Sequence, residues 1–531
     1  MNSKGSQLIK RIVKIVNCSV QKLLLILFVF FIASAGCKKE KKPVVNVDPP
    51  ADIYMTFEQA NNSGKINEYI ICKLQGDTLT GVLSSLKDTV KTLAPSFIIA
   101  DGSTLKVNAV VQKSGETVND FKNPVTYTLT KANGTTKNYT VKIIRYSGLP
   151  IFYLTTASPV VSKDDYVTGN LKVELNDAPY QQDITSIDLQ IKGRGNSTWD
   201  MPKKPYRLKF NKKTGMLGFP VAKNWVLLAN YSDKTLMRNA IAFEMGKQFG
   251  ADFTPSGRFV EVVMNGEYIG NYYMTQQVEV DPNRINITSI KATDNTGDAI
   301  TGGYLLELDQ RKGDVNYFNT TQGLPINLNT PDPITNEQFN YIKQYVQDTE
   351  DAIFAADFAD PVNGYAKYIN TDSFINWYLV KEIMKDNDGK DYSSIYYYKD
   401  RNGKLGMGPL WDFDLAAGNT DYSDCKYPTG WWIANSSWFG RLLQDPAFKA
   451  KVKAKWNDLK AQKLPGILTF IDNTAKQLDL SQGYNFQRWD ILHIYVWPNP
   501  VVTGSYLGEV KYTRDWLSQR ISWMDQQISA W

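Results

Sequence analysis

Cysteine and histidine are scarce in this sequence. Four cysteines and one histidine occur in 531 residues, too few for a disulfide framework or for a zinc site built on cysteine. A Ser/His/Asp hydrolase would depend on His493, and no nucleophile-elbow motif accompanies it. Cys72 and Cys425 fall in what the composition indicates are separate domains. We expect both to be buried free thiols, with one disulfide between them as the open alternative.

The strongest apolar run is short. Leu23 to Ile32 is too brief for an ordinary transmembrane helix. Basic residues precede it, and the small residues of positions 33–36 lead to Cys37. This order predicts an export signal over residues 1–36.

The junction before Cys37 resembles a bacterial lipobox. The resemblance implies that Cys37 is lipidated and begins the mature chain, followed by a linker over residues 37–50. The expected location is the bacterial cell envelope, with the chain lipid-anchored to a membrane, the outer membrane by preference, facing the periplasm or the cell exterior. A plain cleaved signal peptide and an uncleaved anchor stay open.

The net charge falls close to zero once the signal is removed. The whole chain carries +6, and residues 1–36 hold five basic residues and no acid, so the remainder carries +1. A near-neutral chain gives no reason to expect nucleic acid as a partner.

Residues 51–147 are rich in Val, Thr, Ile and Tyr with closely spaced turns. The segments 125–129 and 139–143 alternate apolar and polar residues on either side of Asn133-Gly134, which predicts a hairpin. We expect an all-β sandwich of the immunoglobulin type that acts as a spacer.

Residues 148–531 change to a mixed α/β composition and hold two acidic loops. Asp386 and Asp388 form the first, and Asp412 and Asp414 form the second, with the apolar stretch 394–398 between them. Folded together, these carboxylates would bind a hard divalent cation, Mg²⁺ or Mn²⁺. A cation bound in this way suits phosphoryl transfer.

A glycine-containing turn follows a predicted strand near residue 191. Its members are Arg194, Gly195, Asn196 and Ser197. Bare backbone amides in such a turn can approach phosphate, which indicates nucleotide contact. The alternative is a tight β-turn stabilised by Asn196 and Ser197.

Three motifs, at residues 194–199, 202–209 and 411–419, together resemble the spore-coat CotH kinase family from about residue 150 to the C-terminus. The resemblance implies that residues 148–531 form an α+β atypical protein-kinase-like domain. It implies that ATP and a divalent metal are used to phosphorylate a protein hydroxyl in the envelope or at the cell surface. The expected fold class is therefore multidomain, an all-β sandwich followed by this domain.

The resemblance also implies roles for a strand cation and a helical acid. Residues 206–210 alternate as a strand, which places Arg207 and Lys209 on the face opposite the core. Lys209 is the predicted phosphate-contacting cation, with Arg207 and Lys204 as competitors, and Glu244 is the predicted partner that orients it. An ordinary wet strand face and a surface glutamate paired with a nearby lysine are the alternatives.

Chain order supplies the remaining assignments. Gln277 and Glu279 occupy the position of a kinase hinge that meets adenine. Asp388 is preferred over Asp386 as the base for the attacking hydroxyl, and no His-Arg-Asp motif precedes it. Ser393 stands where a kinase has its second metal ligand. Asp412 is the preferred metal ligand and Asp414 the second choice.

A different class of function remains open. A degenerate kinase fold or a surface adhesin would use the acidic cleft to hold a cation structurally, or to bind a protein or an envelope glycan. Retention of every acid in the cluster favours the enzyme, whereas the missing catalytic-loop motif favours the binding protein.

Overall fold

The computed structural model describes residues 52–66, 68–83, 92–182, 185–312 and 316–531. The predicted signal peptide, Cys37 and the linker 37–50 lie outside the described residues. The chain forms two units, Met1–Tyr54 with Ile98–Asp101 and Met55–Phe97 with Gly102–Trp531. The contacts discussed below belong to the second unit.

The N-terminal region consists mainly of β-strands, as predicted. Its largest sheet has six strands in the order β3-β4-β11-β10-β7-β8. Residues 125–130 and 136–141 pair antiparallel around Asn133-Gly134, so the predicted hairpin is present. The strands are β1 (Ile53–Phe57), β2 (Ile70–Ile71), β3 (Lys73–Gln75), β4 (Thr78–Leu83), β5 (Thr92–Leu93), β6 (Ser96–Ile99), β7 (Thr104–Val107), β8 (Val110–Val111), β9 (Asn119–Asp120), β10 (Val125–Thr130) and β11 (Thr136–Arg145).

A closed barrel begins the mixed α/β region. Its strands follow the order β12-β13-β14-β15-β16-β18-β17, and parallel pairing of the first and last closes it. Leu208, Trp225 and Val260 are buried in its interior because alternate strand residues point inward. The strands are β12 (Ile151–Thr156), β13 (Val167–Glu174), β14 (Ser186–Gly193), β15 (Tyr206–Met216), β16 (Phe219–Leu228), β17 (Gly257–Met264) and β18 (Glu267–Gln276).

A five-stranded sheet with surrounding helices follows the barrel. Its order is β20-β21-β19-β22-β23. The strands are β19 (Tyr304–Leu308), β20 (Tyr317–Asn319), β21 (Pro325–Thr330), β22 (Ile395–Lys399) and β23 (Leu405–Met407). The α-helices of the described residues are α1 (Ser197–Asp200), α2 (Arg238–Phe249), α3 (Asn336–Phe354), α4 (Thr371–Met384), α5 (Ser437–Leu442), α6 (Pro446–Gln462), α7 (Leu464–Gln477), α8 (Asp479–Arg488) and α9 (Tyr506–Ser529).

Asp233 stabilises the turn that precedes α2, which begins at Arg238. The Asp233 carboxylate accepts hydrogen bonds from the backbone N–H groups of Thr235 and Arg238, at 3.0 and 2.8 Å, and pairs with the Arg238 guanidinium. These contacts stabilise a turn ahead of the helix, because short acidic side chains compete with the backbone for such hydrogen bonds.

Both described cysteines are free and buried, as predicted. Burial raises the pKa of each thiol to about 12, so neither is a reactive thiolate at neutral pH. Within the described residues, we find no helix with the length and apolarity needed to cross a membrane.

Candidate metal and phosphate site

Helix α4 delivers the first acidic loop. Lys385 ends the helix in the left-handed conformation, with φ of 45°. The next residue, Asp386, turns inward and is buried, with its Oδ2 at 2.6 Å from Lys381 Nζ. The same ammonium donates to the carbonyl oxygen of Trp411 at 2.7 Å. Lys381 therefore connects the two acidic loops.

Asp388 faces open space, unlike Asp386. It lines a cleft of about 780 Å³, and its Oδ1 accepts a hydrogen bond of 2.8 Å from Asn387 Nδ2. Partial burial raises the pKa of the Asp388 carboxyl, and the negative charge of Asp412 raises it further. A carboxylate with a raised pKa at the wall of a cleft has the chemistry of a general base.

The second acidic loop holds its carboxylates close together. Asp412 has a φ of 63°, which is a left-handed backbone conformation that residues other than glycine rarely adopt. Phe413 N–H anchors the loop by donating to Asn239 Oδ1 at 3.0 Å. Burial raises the pKa of Asp414 well above its usual value, and the carboxylate of Asp412, within hydrogen-bonding reach, raises it further. The loop keeps this strained backbone because contacts of neighbouring residues, such as that of Phe413 N–H, hold it in place.

Arg194 brings positive charge to these acids. It is half-buried above the Trp411 ring, 5.3 Å from the centroid. Together with Asp412 and Asp414 it lines a pocket of about 30 Å³. Burial lowers the pKa of the guanidinium, whereas the charges of Asp412 and Asp414 oppose that shift.

The glycine-containing turn lies between the small pocket and the large cleft. Arg194 and Thr198 line the pocket, whereas Asn196 and Ser197 line the cleft. Gly195 has a φ of 85°, and a Cβ there would lie 2.1 Å from Thr198 Oγ1. The turn therefore requires glycine at this position. The turn thus contributes to both spaces, with Asp412 and Asp414 lining the pocket and Asp388 lining the cleft.

The donor set of this site fits a hard cation with few protein ligands. Within the described ranges no group of three or more His, Cys, Asp or Glu side chains has the geometry of a metal site. Mg²⁺, however, is usually bound through one or two carboxylates, waters and substrate phosphates. Asp412 and Asp414 supply two crowded oxygen ligands whose repulsion a cation would relieve, so the residues present fit the metal.

The Ser393 side chain is bound by a residue outside the acidic loops. Its hydroxyl accepts a hydrogen bond from Arg311 and is buried. The next residue, Ser394, donates to Asp412 Oδ2 at 3.3 Å. The assignment of Ser393 as a metal ligand is therefore corrected, because successive residues entering a strand point in opposite directions.

Lys209 and Glu244 do not form the predicted pair. Lys209 is exposed and lies over the Tyr166 ring, 5.7 Å from the centroid. The Glu244 carboxylate accepts from Gln248 one helical turn away, at 2.7 Å. Both side chains therefore have local partners, which corrects the proposed ion pair.

Arg207, one of the competitors, is closer to the site. Its charge acts on Arg194 and on Glu279. Its Nε is buried without a hydrogen-bond partner in the described part of the chain, so the protein leaves this donor unsatisfied. The structure therefore favours Arg207 over Lys209 as the strand cation.

The predicted hinge divides between two environments. Gln277 lines a pocket of about 60 Å³ opposite Pro409. Glu279 is instead bound by Arg284 and by Asn224 Nδ2, the latter at 2.7 Å. Burial raises the pKa of Glu279, and Arg284 opposes that shift. The Glu279 carboxylate is therefore occupied by Arg284 and Asn224, whereas Gln277 borders an open space.

Three site residues escaped the sequence reasoning. Lys381 is the buried connector described above, and Arg311 binds Ser393. Burial and then Glu307 raise the pKa of Tyr396, with smaller opposed effects from Arg194 and Asp412. A lysine near the end of an apolar helix was the available signal for Lys381. Tyr396 lies two residues after Ser394 and so shares its face of the strand.

Paired carboxylates, a partly buried arginine and a glycine turn define a candidate metal and phosphate site in a mixed α/β region. The CotH kinase protein family matches residues 191–524. This match covers more than half of the chain, which therefore belongs to that family. Residues 61–143 match the family described as SGBP, N-terminal. No curated protein matches the chain.

Proposed function

We propose that this protein transfers the γ-phosphoryl group of ATP to a hydroxyl group of an acceptor in the cell envelope. The observation that carries the proposal is the convergence of Asp412, Asp414 and Arg194 on one small pocket, with Asp388 in the adjoining cleft. Carboxylates for the metal and a guanidinium for the triphosphate thereby lie beside a base for the acceptor hydroxyl.

Each side chain has a distinct role in this proposal. Asp412 and Asp414 hold Mg²⁺ or Mn²⁺, which supplies charge neutralisation for the triphosphate when bound. Arg194 and Arg207 contact phosphate oxygens, since guanidinium groups match phosphate geometry. Asp388 orients the acceptor hydroxyl and takes its proton. Asp386 stays paired with Lys381 and positions the loop.

The test is phosphoryl transfer measured beside ATP binding. Asp388→Asn keeps the size of the side chain but removes the base, so we expect transfer to fall about 10²-fold or more while binding of Mg²⁺–ATP is retained. Asp412→Asn is expected to lose both. Equal transfer by the wild type and Asp388→Asn would rule out Asp388 as the base.

One observation favours a binding protein instead. The Lys209–Glu244 pair that would complete a kinase-like site is not formed. A chain that binds Mg²⁺–ATP but produces neither ADP nor phosphorylated acceptor would support this second function.

A further inference from the structure

The cleft beside Asp388 has a rigid aromatic wall. The rings of Tyr422 and Trp497 are parallel within 4°, with centroids 5.8 Å apart. We call this pair the ring platform. Tyr422 is 53% and Trp497 44% exposed, and both line the 780 Å³ cleft. Two exposed, mutually stacked rings in a cleft offer a binding surface, because an exposed aromatic face can stack on a ligand.

The ring platform is attached to the candidate base through one amide. Asn387 Nδ2 donates to Asp388 Oδ1 at 2.8 Å and to the Tyr422 hydroxyl at 3.1 Å. Trp432 Nε1 donates to Asn387 O at 3.2 Å and fixes that residue further. A molecule stacked on the platform is therefore held beside Asp388.

The cleft lies on the acceptor side of the site. Asp412 and Asp414 line the small pocket, whereas Asp388 lines the cleft. In an in-line transfer the incoming hydroxyl approaches phosphorus opposite the leaving ADP, so the base marks the acceptor side. The platform thus faces the acceptor and not the metal–triphosphate.

The lining of the cleft indicates the chemistry of that acceptor. Leu415 is the only aliphatic residue in the described lining, whereas four residues supply aromatic rings, Tyr392, Tyr422, Trp432 and Trp497. Its charges are balanced, Lys163 and Arg311 against Asp200 and Asp388, so it does not select a strongly charged segment. Ring faces bordered by amides and charged groups suit a pyranose, whose C–H face stacks on an aromatic ring while its hydroxyls form hydrogen bonds.

We infer that the acceptor hydroxyl is carried on a sugar ring of an oligosaccharide that stacks on the ring platform. This inference rests on the proposed phosphoryl transfer for its chemistry. The sugar oxygen forms a bond to the γ-phosphorus, the bond from that phosphorus to the bridging oxygen of ADP breaks, and the hydroxyl proton passes to Asp388.

The test uses the full-length chain on an array of defined oligosaccharides that spans neutral, amino and acidic sugars, beside unglycosylated Ser, Thr and Tyr peptides. We expect at least one class of oligosaccharide to bind and Trp497→Ala to weaken that binding at least tenfold. Tyr422→Phe keeps the ring face and is expected to bind. Tyr317→Ala, which removes an exposed ring on β20, is the matched control and should bind like the wild type.

The inference would be overturned by binding of peptides without sugars, by absence of sugar binding across the array, or by sugar binding that Trp497→Ala leaves unchanged. A parallel titration with Mg²⁺–ATP separates the two proposals. If Trp497→Ala weakens ATP binding, the platform holds the nucleotide base and the inference fails. If the wild type binds sugar but not ATP, the proposed phosphoryl transfer fails and the carbohydrate site stands.

Discussion

The surroundings of Asp414 oppose ionisation of its carboxyl group. Burial and the adjacent Asp412 both raise its pKa, and burial raises that of Asp386 to about 7 despite the nearby ammonium. The folded state therefore holds protons that the unfolded chain releases near pH 4. Stability from these protons is present at low pH and is lost as pH rises from about 4 towards 7.

Asp414→Asn tests this pH dependence. The amide carries no charge, so the variant should match the wild type near pH 4 and gain on it as pH rises. We expect its melting temperature to exceed that of the wild type by about 1–3 °C at pH 8 without divalent metal. Adding Mn²⁺ should remove the difference, because the metal binds the ionised carboxylates. A melting-temperature difference that does not change with pH would contradict the raised pKa of Asp414.

Among elements, the end of α4 and the loop after β23 depend on one buried ammonium. Lys381 is fully buried, pairs with Asp386 at 2.6 Å and lies 4.2 Å from the centroid of the Phe413 ring. At the same level of the helix, Glu382 pairs with Arg520 of α9 and accepts from the N–H groups of Trp432 and Ala434. Helix α4 is thus fixed on two sides where it enters the site.

Lys381→Met leaves the Asp386 carboxylate buried without its partner. Removing one member of a buried ion pair costs about 3–5 kcal/mol. Lys460→Met is the matched control, since Lys460 and Asp525 are also 2.6 Å apart but are 51% and 26% exposed, and pairs near the surface contribute about 0–1 kcal/mol. Urea unfolding followed by tryptophan fluorescence measures both, because every tryptophan lies at position 199 or later. Equal losses in the two variants would contradict the role of Lys381.

Sequence periodicity predicted individual elements better than the contacts between them. The hairpin at Asn133-Gly134 is present as predicted, because a local pattern specifies it. The barrel closure, and the choice of Arg207 over Lys209, depend on strands far apart in sequence. Alternation places both cations on one face, but only the packing around Glu279 and Arg194 distinguishes them.

For the whole molecule, the family match and the β-rich N-terminal region agree with the expected order of parts. The acids at positions 388, 412 and 414 could be singled out because their loops are close-set in sequence. Asp386 could not be separated from Asp388 in this way, since only the fold shows that one turns towards Lys381 and the other towards the cleft.

The lipid anchor is a separate proposal about the whole chain. Cys37→Ser removes the residue that the lipobox-like junction would modify. We expect the variant to move from the membrane fraction into the soluble fraction, because lipidation provides the attachment. Retention of Cys37→Ser in membranes would refute the anchor. Fractionation followed by immunoblotting measures this outcome.

The central claim is that the acids of residues 412–414 form a metal-dependent nucleotide site. Calorimetric titration of ATP into the full chain with Mg²⁺ or Mn²⁺, beside Asp412→Ala, tests it most directly. We predict binding that requires the metal and is abolished in Asp412→Ala. Absence of binding with either metal, or binding that Asp412→Ala leaves unchanged, would contradict the claim.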